Sequence, residues 1–246
     1  MNRAAIRVRS RERWLLRAER ASDAFGLVFL LVLTTYVLTS LLANHGWTAV
    51  VLTLATSATS IVALISSHAR RGLVRTAIWL SALTILLAAV AAASGERTWL
   101  NFASAVQIAL LAIAMAAVLR RVVGSAEVGF RTILGALSVY AALGILFTFL
   151  YGMIERVQAG AFFEGAPDPA GSDFLFFSYT TLTTTGYGNL VPGGQPGRMI
   201  AGLEMMLGQI FLVTLVAGLV SLWRPGEALR RRQTRRGEEE AAGGGA

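Results

Sequence analysis

Long apolar stretches separated by short arginine-bearing breaks organise this chain. Apolar segments run near 24–44, 47–67, 73–94, 98–119, 130–152 and 199–223. Each is about 20 residues or longer, the length of helix that crosses roughly 30 Å of hydrocarbon. Between residues 24 and 118 the only charged side chains are Arg70, Arg71, Arg75, Glu96 and Arg97, all at or beside the breaks. One further apolar stretch, near 173–184, is about 12 residues long, too short to span and the length of a re-entrant helix. Such a broken element is tolerated in a membrane only where protein or water surrounds it. The pattern predicts an all-α membrane protein with six transmembrane helices and a re-entrant helix between the fifth and sixth.

A basic start followed by an apolar run is also how a secretory signal begins. The first run, from about 25 to 43, exceeds the apolar core of a signal, and no small-residue cleavage site follows it. It reads as the first spanning helix.

Composition narrows the class. Hydrophobic residues make up 55% of the 246 and charged residues 15%, against about 25% charged in a soluble domain. The formal net charge is +8, and all 22 basic residues are arginine. Their position beside apolar segments points to topology control and anionic lipid headgroups, not to nucleic acid. Arginine in place of lysine, with abundant Ala and Gly, fits a GC-rich bacterial genome. The chain has no Cys, hence no disulfide and no thiolate metal site. His45 and His68 fall in separate predicted loops and read as interfacial residues, not as metal ligands.

Arginine placement also orients the chain. The leader, the loop 68–75, the loop 120–131 and the tail from 224 are Arg-rich, and they share one side if the six segments alternate. The other side receives 44–46, 95–98 and 155–198, with only Arg97, Arg156 and Arg198. The positive-inside rule puts both termini in the cytoplasm of a cell-membrane protein. The expected organisation is a basic N-terminal segment (1–22) suited to the inner leaflet surface, a four-helix peripheral domain (23–121), a pore domain (122–223) and a cytoplasmic tail (224–246). A short helix near 227–236 and a disordered end are expected in that tail.

The stretch 174–192 carries the chemistry, around Thr184-Thr185-Gly186-Tyr187-Gly188. Passing a potassium ion requires replacing its hydration shell at little net cost, and rings of backbone carbonyls do this. Successive carbonyls of an ordinary strand point to opposite sides. A single-file filter needs them on one axis, so alternate residues must adopt left-handed angles, the province of glycine. Gly186 and Gly188 supply that alternation. Five such residues cover about 15 Å, room for several ions in line. The short helix before them would aim its carboxyl end at the passing cation. Ser172 is the expected N-cap of that helix, with Asp173 in its first turn.

Here the sequence resembles the potassium-channel family, whose filter motif T-x-G-Y-G matches residues 184–188. The resemblance extends to Thr183, Pro192, Gly197-Arg198 and Gly208, twenty residues after Gly188, and covers roughly 130–223. It looks like bacterial six-helix members with one pore loop per subunit, the first four helices resembling theirs only in number and placement. It implies a homotetramer passing K+ through Thr184, Thr185, Gly186, Tyr187 and Gly188, with no enzyme activity and no organic cofactor. It also implies filter support from Phe176, Phe177, Thr180, Asn189 and Glu204, and a gating hinge at Gly208. Three departures mark the match. Thr185 stands where Val is common, and its hydroxyl needs a partner. Asn189 replaces Asp, removing a charge from the outer mouth. Phe176 and Phe177 replace tryptophans, still able to pack around Tyr187.

Other residues carry two readings each. Glu204, the lone carboxylate of the sixth segment, reads as a buried partner of Thr180 or Thr181, or as a pH-sensitive or ion-attracting group. Gly208 reads as a hinge or a close-packing site. Glu155, Glu164, Asp168 and Asp173 could concentrate cations outside the mouth. Residues 98–119 contain no arginine, and each charge moved across the field is worth about 2.3 kcal/mol per 100 mV, so no steep voltage dependence is expected. A poorly selective cation channel, a potassium-transporter subunit and a non-conducting scaffold are the competing readings. Tyr187 between its glycines disfavours the first, and the presence of one pore segment per chain disfavours the second.

Overall fold

The computed structural model describes residues 25–42, 47–124 and 130–222. Among them are seven helices: α1 Phe25–Leu41, α2 Thr48–Ser66, α3 Arg71–Ser94, α4 Arg97–Val123, α5 Phe130–Val157, α6 Gly171–Leu182 and α7 Gln195–Leu222. The expected elements are there in order, with ends moved by a few residues. The basic leader, His45, part of the loop 120–131 and the tail readings lie outside the described residues.

Five helices, α2 to α5 and α7, are long and apolar enough to cross a membrane. Helix α1 covers 17 residues, short of the expected span over 24–44; residues 43–46 lie outside the described set. Helix α4 continues past Leu119 through Arg120 and Arg121, where cations favour a helix carboxyl end. Helix α3 stops at Gly95, whose left-handed φ of 71° lets its N–H return to the Ala91 carbonyl at 2.9 Å.

Two compact units divide the chain, residues up to Gln209 and residues from Ile210. The second is described only as the continuation of α7. In the first, α2, α3 and α4 pack on one another, α4 packs on α5, and α5 packs on α6. The contact between α1 and α2 is polar at its centre, with Thr35 Oγ1 3.4 Å from Thr59 Oγ1. Thr53, Thr56, Thr59 and Ser60 of α2 are buried, and each donates to a carbonyl one turn back in its own helix. Small hydroxylated side chains satisfied in this way let membrane helices approach closely. The outward face is apolar: Trp79 is 72% exposed and Leu86 60% exposed. Surfaces of that kind on one helix belong against lipid or another chain.

A second core lies where α5, α6 and the start of α7 meet. Phe147, Tyr151, Phe162, Phe163, Phe174, Phe177 and Ala201 are buried there together. Tyr151 and Phe177 meet edge to face with ring centres 5.0 Å apart, as do Phe162 and Phe163 at 4.8 Å. Edge-to-face pairs add about 0.5–1.5 kcal/mol each beyond area burial. This cluster fixes α6.

Candidate functional site

Helix α6 enters through Ala170, not Ser172. The Asp173 carboxylate accepts the Ala170 N–H at 2.8 Å, and the Asp173 N–H donates to the Ala170 carbonyl at 3.0 Å. Ala170 is extended (φ −74°, ψ 160°) and Gly171 is already helical. Ser172 thus lies inside the first turn, two residues past the position from which a hydroxyl caps. Asp173 satisfies the end and places negative charge at the helix's positive pole.

At Leu182 the helix stops, and the chain folds back over its end. The Thr183 and Thr184 N–H groups donate to the Tyr179 and Thr181 carbonyls, both at 3.0 Å. Those of Thr185 and Gly186 share the Thr180 carbonyl, at 2.8 and 3.2 Å. All peptide bonds here are trans, so each carbonyl points opposite to the next residue's N–H. The Thr184 and Thr185 carbonyls therefore face away from α6. Thr184, Gly186 and Gly188 have φ of 57°, 54° and 77°, alternating with residues of ordinary φ. Sequence reasoning assigned left-handed angles to the glycines alone. Thr184 also adopts one, rare for a β-branched residue, at the left-handed position of a helix ending in which its own N–H and that of Thr185 return to Thr181 and Thr180.

The hydroxyls form a chain behind this turn. Thr183 Oγ1 donates to the Tyr179 carbonyl at 2.7 Å and lies 2.8 Å from Thr185 Oγ1. With the Thr183 proton committed, Thr185 is the donor, so its hydroxyl has the partner it needed. Thr180 contributes its carbonyl. The Tyr187 ring stacks on Phe176 with centres 5.7 Å apart and planes 18° apart. Phe177 does not join it. Adjacent helical residues point about 100° apart, and Phe177 turns into the core against Tyr151 and Phe163. Asn189 is exposed.

The segment after the turn is tied to the loop following α5. The Glu164 N–H donates to the Val191 carbonyl at 2.9 Å, and the Gly193 N–H to the Phe162 carbonyl at 2.8 Å. Arg198 Nε donates to the Pro192 carbonyl at 2.9 Å, and its Nη2 pairs with Glu164 at 2.7 Å. Glu155 accepts the Phe162 N–H at 2.5 Å. Of the four acids expected to attract cations, Glu155, Glu164 and Asp173 are therefore engaged in holding loops and a helix end, which leaves Asp168.

Behind α6 lies Glu204 of α7, with no exposed surface. Its Oε1 is 2.5 Å from Ser178 Oγ and its Oε2 is 2.5 Å from the Tyr151 hydroxyl. The expected partners, Thr180 and Thr181, are not the ones: Ser178 is the hydroxyl of α6 that faces α7 and α5 together. Ser178 Oγ also lies 2.8 Å from the Gly144 carbonyl of α5. One turn on, a methyl group at Gly208 would come within 2.3 Å of the Leu182 carbonyl oxygen. Gly208 is thus a close-packing site against the end of α6.

Sequence reasoning missed Tyr151, Ser178, Tyr140 and Tyr179. The Tyr140 hydroxyl donates to the Leu182 carbonyl at 3.2 Å and that of Tyr179 to the Ala141 carbonyl at 2.6 Å. Gly144 admits the Tyr179 ring, where a Cβ would meet it at 2.7 Å. The signal was a carboxylate alone in an apolar helix, which must find hydroxyls on its neighbours.

No curated protein matches the chain. Residues 145–224 match a family model described as ion channel, a stretch that begins within α5 and takes in α6, the left-handed turn and the whole of α7. With the five long apolar helices, that match supports a multi-pass membrane protein that transports ions through a channel.

Proposed function

We propose that four copies of this chain surround an axis as a potassium-selective channel, with Thr184, Thr185, Gly186, Tyr187 and Gly188 as its filter. The observation that carries the reading is the turn after α6: alternate left-handed residues at 184, 186 and 188, with the N–H groups of 185 and 186 fastened to Thr180. Backbone alternation of this kind gathers like peptide groups on one side. Here the N–H groups face the helix, and carbonyls are left to meet a dehydrated cation.

One turn supplies a quarter of such a ring, and cyclic symmetry supplies the rest. Two features of the single chain support that assembly. In the apolar window of α7 only 17% of residues are buried, against 44% in α5. The Phe176–Tyr187 stack is left outward, Tyr187 71% exposed, and aromatic residues in that position are what interface cores use. Both termini are placed in the cytoplasm by arginine distribution. Helices α1 to α4 form the peripheral domain and α5 to α7 the pore domain. Conduction is passive and not steeply voltage-dependent. Anionic lipid covers the arginine-rich inner face.

Potassium efflux from liposomes containing only this protein tests the reading. Wild type is expected to release K+, and Gly186→Ala, which forces a side chain onto a left-handed residue at about 1–2 kcal/mol, to release far less. Equal release from vesicles with and without the protein would refute it.

A further inference from the structure

Two short oxygen–oxygen contacts meet at Glu204 and a third contact branches from Ser178, and two hydroxyl protons are available for the three. Ser178 Oγ lies 2.8 Å from the Gly144 carbonyl and 2.5 Å from Glu204 Oε1; the Tyr151 hydroxyl lies 2.5 Å from Oε2. A carbonyl oxygen only accepts, and an ionised carboxylate only accepts. Were Glu204 ionised, the single Ser178 proton would face two acceptors, and one contact would be bare oxygen against oxygen. A proton on Glu204 Oε1 resolves this. Glu204 then donates to Ser178, Ser178 donates to Gly144, and Tyr151 donates to Oε2.

The surroundings agree. Glu204 and Ser178 have no exposed surface, and neither has Tyr151, so no solvent and no neighbouring chain reaches the cluster. The titratable groups facing it are Tyr151 and Tyr140 from α5 and Tyr179 from α6, none of them cationic. On its own helix the nearest charge, Arg198, is turned to Glu164 and the Pro192 carbonyl. A buried carboxylate without a cation is a state proteins avoid by keeping the proton.

We propose that Glu204 is a neutral carboxylic acid in the folded protein, and that its proton locks α7, α6 and α5 together behind the filter turn, making conduction sensitive to alkaline pH. The second half of this statement rests on the channel reading; the first does not. Losing the proton would free Ser178 from Gly144 or from Glu204, and with it the helix whose end anchors residues 183–186. Raising the pH removes a proton that the folded state holds, so the folded pore weakens as pH rises.

Infrared spectroscopy of the full-length protein in lipid vesicles, with potassium efflux measured from the same vesicles across a pH series, tests the proposal. At neutral pH we expect a carboxylic-acid carbonyl band that shifts in heavy water, persists in E164Q and disappears in E204Q. Efflux should fall reversibly as pH is raised, and the relative pH dependence should be lost in E204Q. Should E204Q fail to assemble, Tyr151→Phe removes one partner and leaves the acid, so the band must shift and remain. A neutral-pH spectrum without a Glu204-dependent acid band overturns the proposal whatever the flux. A pH-independent wild-type efflux beside an intact band overturns the regulatory half. No efflux at any pH, with the band present, refutes the channel reading and leaves the protonated acid standing.

Discussion

Gly202 and Gly208 stand in the same helix six positions apart, yet their surroundings differ completely. Nothing lies within 4 Å of a methyl group at Gly202, whereas one at Gly208 would press to 2.3 Å on the Leu182 carbonyl oxygen. That oxygen belongs to backbone and cannot swing aside. Gly208→Ala is therefore expected to cost about 1–3 kcal/mol through overpacking. Gly202→Ala should gain about 0.5–1 kcal/mol, since alanine loses less freedom in a helix interior. Thermal unfolding in one detergent checks the pair; equal effects would refute the packing role of Gly208. Sequence could nominate Gly208 by its spacing from Gly188 but could not show its contact, because the atom it meets comes from 26 residues earlier, at Leu182. The positive φ of Gly186 and Gly188 was legible for the opposite reason: it is a local property of glycine. That of Thr184 was not, since it belongs to the helix ending closed by the Thr184 and Thr185 N–H bonds to the Thr181 and Thr180 carbonyls.

At the scale of elements, one guanidinium ties the end of α5 to α4, beside the packing of the two helices. Arg156 Nε donates to Asn101 Oδ1 and Nη2 to Ser104 Oγ, both at 2.7 Å. Arg198 instead pairs with Glu164 where the two side chains are 51% and 58% exposed. Arg156→Ala leaves part-buried polar groups without their donor and is expected to cost about 1–3 kcal/mol. The exposed ion pair of Arg198 is worth about 0–1 kcal/mol. Unfolding of Arg156→Ala and Glu164→Ala side by side tests the order, and a larger loss in Glu164→Ala would contradict it. Elements themselves were the most legible level. Apolar runs gave α2 to α5 and α7 to within a few residues, since hydropathy over a span's length is set by the membrane. Their neighbours were not legible. The turn from Arg156 to α4, the aromatic seat of α6 and the pairing of Phe162 with Gly193 are contacts between distant stretches that no periodicity encodes.

For the whole molecule, the proposed channel requires other copies of the chain. Particles purified in mild detergent are expected to contain four chains, read by native mass spectrometry, and a stable monomer that still conducts would contradict the assembly. Helix α4 carries Arg97, Arg120 and Arg121 at its ends and no charge between them. Stepped-voltage recording should accordingly find conductance changing gradually; a rise of e-fold within a few millivolts would show gating charges elsewhere.

The most direct test of the central claim is a reversal potential. Recorded in a planar bilayer with potassium salt on one side and sodium salt on the other, wild-type currents are expected to reverse far toward the potassium equilibrium potential. Reversal near zero, with sodium carrying current as readily as potassium, would contradict the claim that the oxygens of residues 184–188 stand in for the water around a potassium ion.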